Sequence, residues 1–209
     1  FRNIFFQSMP ITVSICGYAL AAAIIFTYVG QSGEYAAAGY GAGTRIEQVV
    51  LLPILGINTA IISIIAQNYG AKNFNRIKET YITAIKYAFM IMIISGIIVF
   101  ISAGIITSIF SNDPEVIEYG KRYLKISAFV LPAYPVFFLS NGFFMALKKS
   151  EMAMISNFFR NVLNPIVVFY IAKYIDASFS TFFWIWVGIN WFFSISYLMI
   201  IFYYFKKKL

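Results

Sequence analysis

The sequence predicts an all-α, polytopic membrane protein built as a bundle of six transmembrane helices. Three observations carry this. Of 209 residues, 61% are hydrophobic and only 11% are charged, whereas an ordinary soluble domain carries about 25% charged residues. The hydrophobic residues gather into six runs, each long enough to cross a hydrocarbon core of roughly 30 Å, which takes about 20 helical residues. The charges gather in the short connections between these runs.

The runs lie at approximately 8–30, 40–68, 81–110, 123–146, 152–174 and 180–204. Backbone polar groups in lipid have to be satisfied within the segment, so each run is a helix rather than a lone strand. The first contains Pro10 and Cys16 and no acidic residue. The single Cys16 can close no intramolecular disulfide and build no thiolate metal cage, and its place in an apolar run predicts a small buried side chain. The second run contains Pro53 and Gly56, where a lost backbone hydrogen bond and added slack predict a bend. Pro132 and Pro135 fall in the fourth run and Pro165 in the fifth. The connections GQSGE, YGAKNFNRIKE, SNDPEVIEYGK, ALKKSE and KYIDASF hold the turn residues. The chain begins FRNIFF, without an initiator Met or a signal-peptide cleavage site, and reads as a piece of a longer protein cut between spans.

Charge sets the orientation. One side of the membrane receives Arg2, then Lys72, Arg76 and Lys78, then Lys148 and Lys149, then Lys206, Lys207 and Lys208. The other receives Glu34, then Asp113, Glu115 and Glu118, then the Lys173/Asp176 pair, with Lys121, Arg122 and Lys125 dissenting at the interface. The positive-inside rule then places both termini in the cytoplasm and the chain in the cell membrane. Trp184, Trp186, Tyr203 and Tyr204 fit interfacial aromatic belts. The 16 Lys and Arg against 8 Asp and Glu therefore report membrane orientation, not a nucleic-acid partner. The sequence has no His, which removes the serine triad, His general bases and His metal ligands.

Polar side chains inside the spans are few, and each needs a reason, because a charge at mid-bilayer costs about 2.5–3.5 kcal/mol on insertion scales. In YGAGTRIEQVVLLP, Arg45 and Glu47 are two residues apart and so lie on different faces of the second helix. Glu47 aligns with Asn58, about 16 Å along the same face. Two readings fit: Glu47 and Asn58 line a polar cavity on either side of the Pro53 bend, or Arg45 and Glu47 snorkel to the outer surface as anchors. In SNFFRNVLNPIV, Asn157, Arg160, Asn161 and Asn164 form an i, i+3, i+4, i+7 stripe in the fifth span. Interhelical amide bonds account for the Asn residues. Arg160, about 12 Å from the cytoplasmic end, calls for a water-filled cavity or a buried carboxylate. GYGAG at 39–43 imitates part of a dinucleotide fingerprint, but no strand precedes it, and close helix packing explains its glycines.

The stretch AAAGYGAGTRIEQVVLLPILGINTAIISIIAQNYGAKNFNRIKE (36–79) resembles the second span, and the following loop, of the C-terminal half of the multidrug and toxic compound extrusion (MATE) transporters. R-I-E, P-x-x-G and Q-N-Y-G-A-K-N carry the likeness, and FFMALKKSEMAMISNFFRNVLNP is similar to the family's loop and fifth span. The resemblance covers essentially the whole chain and implies one lobe of a twelve-helix antiporter. Such a protein exports amphipathic, often cationic, organic compounds against inward Na+ or H+. It implies the lipid bilayer and an N-terminal lobe as partners and no cofactor, with the coupling ion carried mainly by that missing lobe.

The first and fourth spans lack the acidic residues that bind the ion in one branch of the family, so the chain is nearer the branch with N-lobe carboxylates. On this reading Glu47 attracts cations or couples the ion. Asn58, Arg160, Asn164 and Tyr18 line the cavity among aromatic and Met side chains, and Pro53 and Gly56 shape the helix. No bond is made or broken, so no enzyme is expected. The alternatives are a lipid-linked saccharide flippase of the same superfamily, against which the count of two embedded Arg speaks, and a non-transporting assembly subunit.

Overall fold

The computed structural model describes the backbone of residues 2–208 and the side chains of residues 16–206. The side chains of Arg2, Pro10, Lys207 and Lys208 lie outside the described residues. The described chain is helical, in the order α1 (Arg2–Gly30), α2 (Glu34–Gly70), α3 (Phe74–Ser108), α4 (Pro114–Ser127), a 3-10 turn (Leu131–Ala133) and α5 (Tyr134–Ala146). It continues with α6 (Ser150–Phe158), a π-turn (Phe159–Leu163), α7 (Asn164–Tyr174) and α8 (Phe179–Lys208).

The connections work by local chemistry. Gly33 takes φ +104, a conformation that a side chain would strain, and lets α2 start soon after α1 ends. Asn73 caps α3 by accepting from the Arg76 amide at 3.3 Å. Asp113 caps α4 by accepting from the Glu115 amide at 2.9 Å, with Pro114 in the first turn where its missing N–H is harmless.

Two spans differ from the continuous helices the sequence predicts. The run 123–146 is a bent pair, α4 and α5, inclined by 41° at the break after Ser127. Pro132 and Pro135 cannot donate to the carbonyls a turn earlier, so the α-helical ladder lapses into a 3-10 turn there. The connection SNDPEVIEYGK is largely helical, because α4 begins at Pro114. Its Glu118 pairs with Lys121 at 3.4 Å and Arg122 at 3.0 Å, on an exposed surface where such pairs add little stability. The run 152–174 is interrupted by the π-turn, where the Asn164 amide reaches back five residues to the Phe159 carbonyl. Pro165 offers no amide to the Asn161 carbonyl, and the ladder slips by one residue ahead of it. By contrast α2 runs through Pro53 and Gly56 without interruption.

Among the described residues four helices are long and apolar enough to cross a membrane, or five if the bent pair is one span, and Cys16–Gly30 of α1 is shorter. The outward face of α3 is a ladder of exposed isoleucines, with Ile101 and Ile105, and Ile109 just past its end, about three-quarters exposed. In water that face would be an association site; in a bilayer it is the lipid-facing wall. Cys16, expected to be buried, is exposed on α1, because in a lipid-solvated helix apolar character does not imply burial.

Two clusters fill the interior. One, at the end of the bundle holding the α1–α2 and α7–α8 turns, joins Tyr28, Tyr40, Tyr123, Phe182 and Phe183. Tyr28 there donates to the Ala177 carbonyl at 2.5 Å. The other joins Tyr81, Phe143, Phe144, Tyr197 and Phe205. Its hydroxyls are satisfied: Tyr81 and Ser140 lie 2.7 Å apart, and Tyr197 donates to Asn141 at 3.0 Å.

Asn164 is an exception. It is fully buried with neither amide atom hydrogen-bonded. An unmet buried polar group carries a penalty of about 1–3 kcal/mol. Asn164→Leu is therefore expected to raise the thermal unfolding midpoint in detergent, and a fall would show that the amide has a partner.

Candidate functional site

The side-chain constellation in the bundle is organised by Glu47. Gly39 and Gly43 let α2 approach α4 closely: a Cβ on Gly39 would lie 2.7 Å from the Gly120 amide nitrogen, and one on Gly43 would overlap the Tyr123 ring. Small residues four apart allow this approach where lipid supplies no hydrophobic drive between helices. One turn beyond Gly43, the Glu47 carboxylate accepts two hydroxyl donors. Tyr123 donates to Oε2, and Tyr134 donates to Oε1 at 2.5 Å. Tyr123 belongs to α4 and Tyr134 to α5, so the carboxylate spans the 41° break from the side. Tyr40 and Phe183 pack edge to face around Tyr123, with ring centroids 4.9 and 4.8 Å away.

Glu47 sits on the wall of a partly open cavity of about 210 Å³, together with Tyr18, Gln48, Tyr134, Arg160 and Asn161. Arg160 enters from the π-turn. Its guanidinium carbon lies 4.0 Å from the Phe137 ring centroid, 4.8 Å from Tyr134 and 5.5 Å from Phe138. Thus Tyr134 touches both charges of the cavity, hydrogen-bonding the anion and presenting its face to the cation. Among the described residues the ion pairs are Arg76–Glu79, Lys121–Glu118 and Arg122–Glu118, so Glu47 and Arg160 do not form a direct salt bridge.

The remaining residues singled out by the sequence fall into two groups. Tyr18 and Arg160 share the cavity with Glu47. Asn58 packs against α5, where its Oδ1 is buried and unpaired beside the position a Cβ on Gly142 would take. Asn164 is enclosed beyond the π-turn. The stripe Asn157, Arg160, Asn161, Asn164 is spread by that π-turn: Asn157 accepts from Asn141 at 3.1 Å, while Arg160 and Asn161 meet the cavity. Arg45 is exposed, on a different face from Glu47.

The sequence reading missed Tyr123 and Tyr134. The available signal is that a carboxylate inside a span needs donors, and these two tyrosines lie in the run that Pro132 and Pro135 interrupt. Among the described residues no three His, Cys, Asp or Glu side chains gather as a metal ligand set. What the arrangement can do is hold a proton or a monovalent cation on one carboxylate and present one guanidinium to an enclosed volume.

Known proteins share this architecture. The family model MatE matches residues 10–170. The FAD transporter of Shewanella oneidensis is 26% identical over 158 residues, covering 76% of this chain and 35% of that protein. The probable multidrug resistance protein YpnP of Bacillus subtilis is 24% identical over 164 residues, covering 78% and 34%. The multidrug export protein MepA of Staphylococcus haemolyticus is 25% identical over 154 residues, covering 74% and 34%. Among solved structures, a MATE protein in complex with MaL6 superposes with a TM-score of 0.88 at 20% identity, covering 96% of this chain and 46% of that one. A MOP superfamily transporter from Pyrococcus furiosus superposes at 0.85 and 21% identity, covering 96% and 46%. The chain thus spans under half the length of these proteins. With the family model extending over most of the helices that build the Glu47 cavity, the chain belongs to the MatE family of multi-pass membrane transporters.

Proposed function

We propose that this chain is the C-terminal six-helix lobe of a two-lobe antiporter that exports small amphipathic organic compounds in exchange for Na+ or H+. The observation that carries the reading is the Glu47 carboxylate, held across a broken helix on the wall of a cavity. The names of the export proteins among its relatives and the half-length match support it. The second lobe would close the pathway from the other side and carry most of the ion coupling. Both termini would be cytoplasmic in the cell membrane, and no bond would be made or broken.

In this lobe Glu47 would act as a clasp. Ionised, it accepts from both tyrosines and ties α4 to α5. Protonated, one of its oxygens becomes a hydroxyl, a weaker acceptor that also donates, so one of the two tyrosine bonds weakens or reverses. A coordinated Na+ would compete for the same lone pairs. Either event loosens the tie and frees the angle between α4 and α5, which is how an ion on Glu47 would be felt by the cavity wall. Tyr18 and the aromatic and Met side chains would meet the apolar body of the substrate.

The test is transport of an amphipathic fluorescent dye by the full-length protein in proteoliposomes, with a Na+ or proton gradient imposed. Gradient-dependent movement against the dye's own gradient is expected. Its absence under both gradients would overturn the reading.

A further inference from the structure

We propose that Arg160 and the rings around it form a binding site for the anionic group of an aromatic amphiphile, such as an organic carboxylate, sulfonate or phosphate. The inference deepens the transport reading above, and rests on it, by naming the class of substrate this lobe accepts.

The charges of the cavity point this way. Both oxygens of Glu47 are occupied by tyrosine hydroxyls, so the anion of the site is already solvated by the protein. The cation is not. Arg160 shares no ion pair with Glu47. Its Nη1 is buried without any hydrogen-bond partner. The rings of Phe137, Tyr134 and Phe138 face the guanidinium carbon, with centroids 4.0, 4.8 and 5.5 Å away. Ring faces stabilise the charge but accept no directed hydrogen bond from the N–H fork that a guanidinium offers to a carboxylate or phosphate. A donor left in that state is costly, and an oxyanion supplies what is absent.

The surroundings supply room for the rest of the ligand. Arg160 is a common wall of three hollows: the Glu47 cavity, one of about 320 Å³ beside Phe159 and Asn190, and one of about 700 Å³ beside Phe138, Met145 and Met154. The last is of the size that drug-like ligands occupy. Its wall offers aromatic and thioether groups to a ring system, with Asn157, Asn161 and Gln48 as neutral hydrogen-bonding partners. An organic cation placed in this largest hollow would lie beside a guanidinium with no carboxylate on the same wall. The balance of charge therefore favours an anion over the cationic drugs that the resemblance implies.

The experiment compares two probes that share one ring and differ in charge, pyrenebutyrate and pyrenebutyltrimethylammonium, titrated by fluorescence into the full-length protein in nanodiscs. The anion is expected to bind about tenfold or more tightly than the cation, the effect of one hydrogen bond to a charged group. Arg160→Gln is expected to erase that preference. Arg160→Lys, which keeps the charge but loses the fork, is expected to weaken anion binding about threefold or more. Equal or tighter binding of the cation overturns the proposal. So does a folded Arg160→Gln that retains the preference or, should that variant not fold, an Arg160→Lys with unchanged anion affinity. Dye transport without anion preference would sink this site and leave the exporter standing. Anion preference without any transport would do the reverse.

Discussion

Glu47→Leu is expected to lower the stability of the lobe by about 3–6 kcal/mol and to weaken the pH or Na+ dependence of transport by the share this lobe contributes. The magnitude follows from two hydrogen bonds to an ionised group, each worth about 1.5–3 kcal/mol. Both donors are buried among rings and would be left without an acceptor. Glu47→Gln should have a smaller thermal effect, because the amide retains one acceptor oxygen for one tyrosine and turns a donor toward the other. It should nevertheless remove this lobe's own share of the coupling, since an amide does not titrate. Tyr123→Phe and Tyr134→Phe separate the two halves of the clasp. Each alone should cost about the value of one bond, and with Glu47→Gln in a double-mutant cycle the pairs should show coupling well above the few tenths of a kcal/mol that independent sites give. Thermal unfolding in detergent and gradient-driven dye efflux are the two readouts. Unchanged ion dependence in Glu47→Gln would reduce Glu47 to a structural tie between α4 and α5.

How far these features can be read from the sequence varies with the kind of physics involved. The class of fold follows from composition alone, since a chain this poor in charge has lipid as its solvent. Glu47 and Arg160 stand out because few ionised groups lie inside the spans. Their partners do not stand out, because Tyr123 and Tyr134 look like ordinary members of an aromatic-rich chain and reach Glu47 only once α4 and α5 bend. The bend is hinted at by Pro132 and Pro135, yet Pro53 sits as squarely inside α2 and interrupts nothing. Proline removes an amide; whether the helix breaks there depends on what packs against the freed carbonyl. The even stripe from Asn157 to Asn164 assumes about 3.6 residues per turn throughout. One π-turn redistributes it, leaving Asn164 enclosed and Arg160 at the cavity. Cys16 shows the general limit: apolar surroundings in sequence predict burial in a soluble protein, and predict only lipid compatibility here.

The close approach of α2 and α4 is what lets Glu47 meet Tyr123, and Gly39→Ala tests it. The added Cβ would lie 2.7 Å from both the Gly120 nitrogen and the Val116 carbonyl oxygen. These are backbone atoms, so no side-chain rotation relieves the contact and the two helices have to separate or tilt. Overpacking of this kind costs about 1–3 kcal/mol. Gly39 is about 12 Å by helical rise from Glu47 on the same helix, so a tilt about the contact also lengthens the Tyr123–Glu47 bond. Gly39→Ala should therefore resemble Tyr123→Phe in its lowered unfolding midpoint. The control is on the same helix. A Cβ added at Gly41 or Gly56 would meet nothing within 4 Å, and Ala there should stabilise α2 by about 0.5–1 kcal/mol through helix propensity alone. If Gly39→Ala unfolds no earlier than Gly41→Ala, the two helices do not meet as closely as the glycines allow, and Glu47 is not held by Tyr123 in the way described.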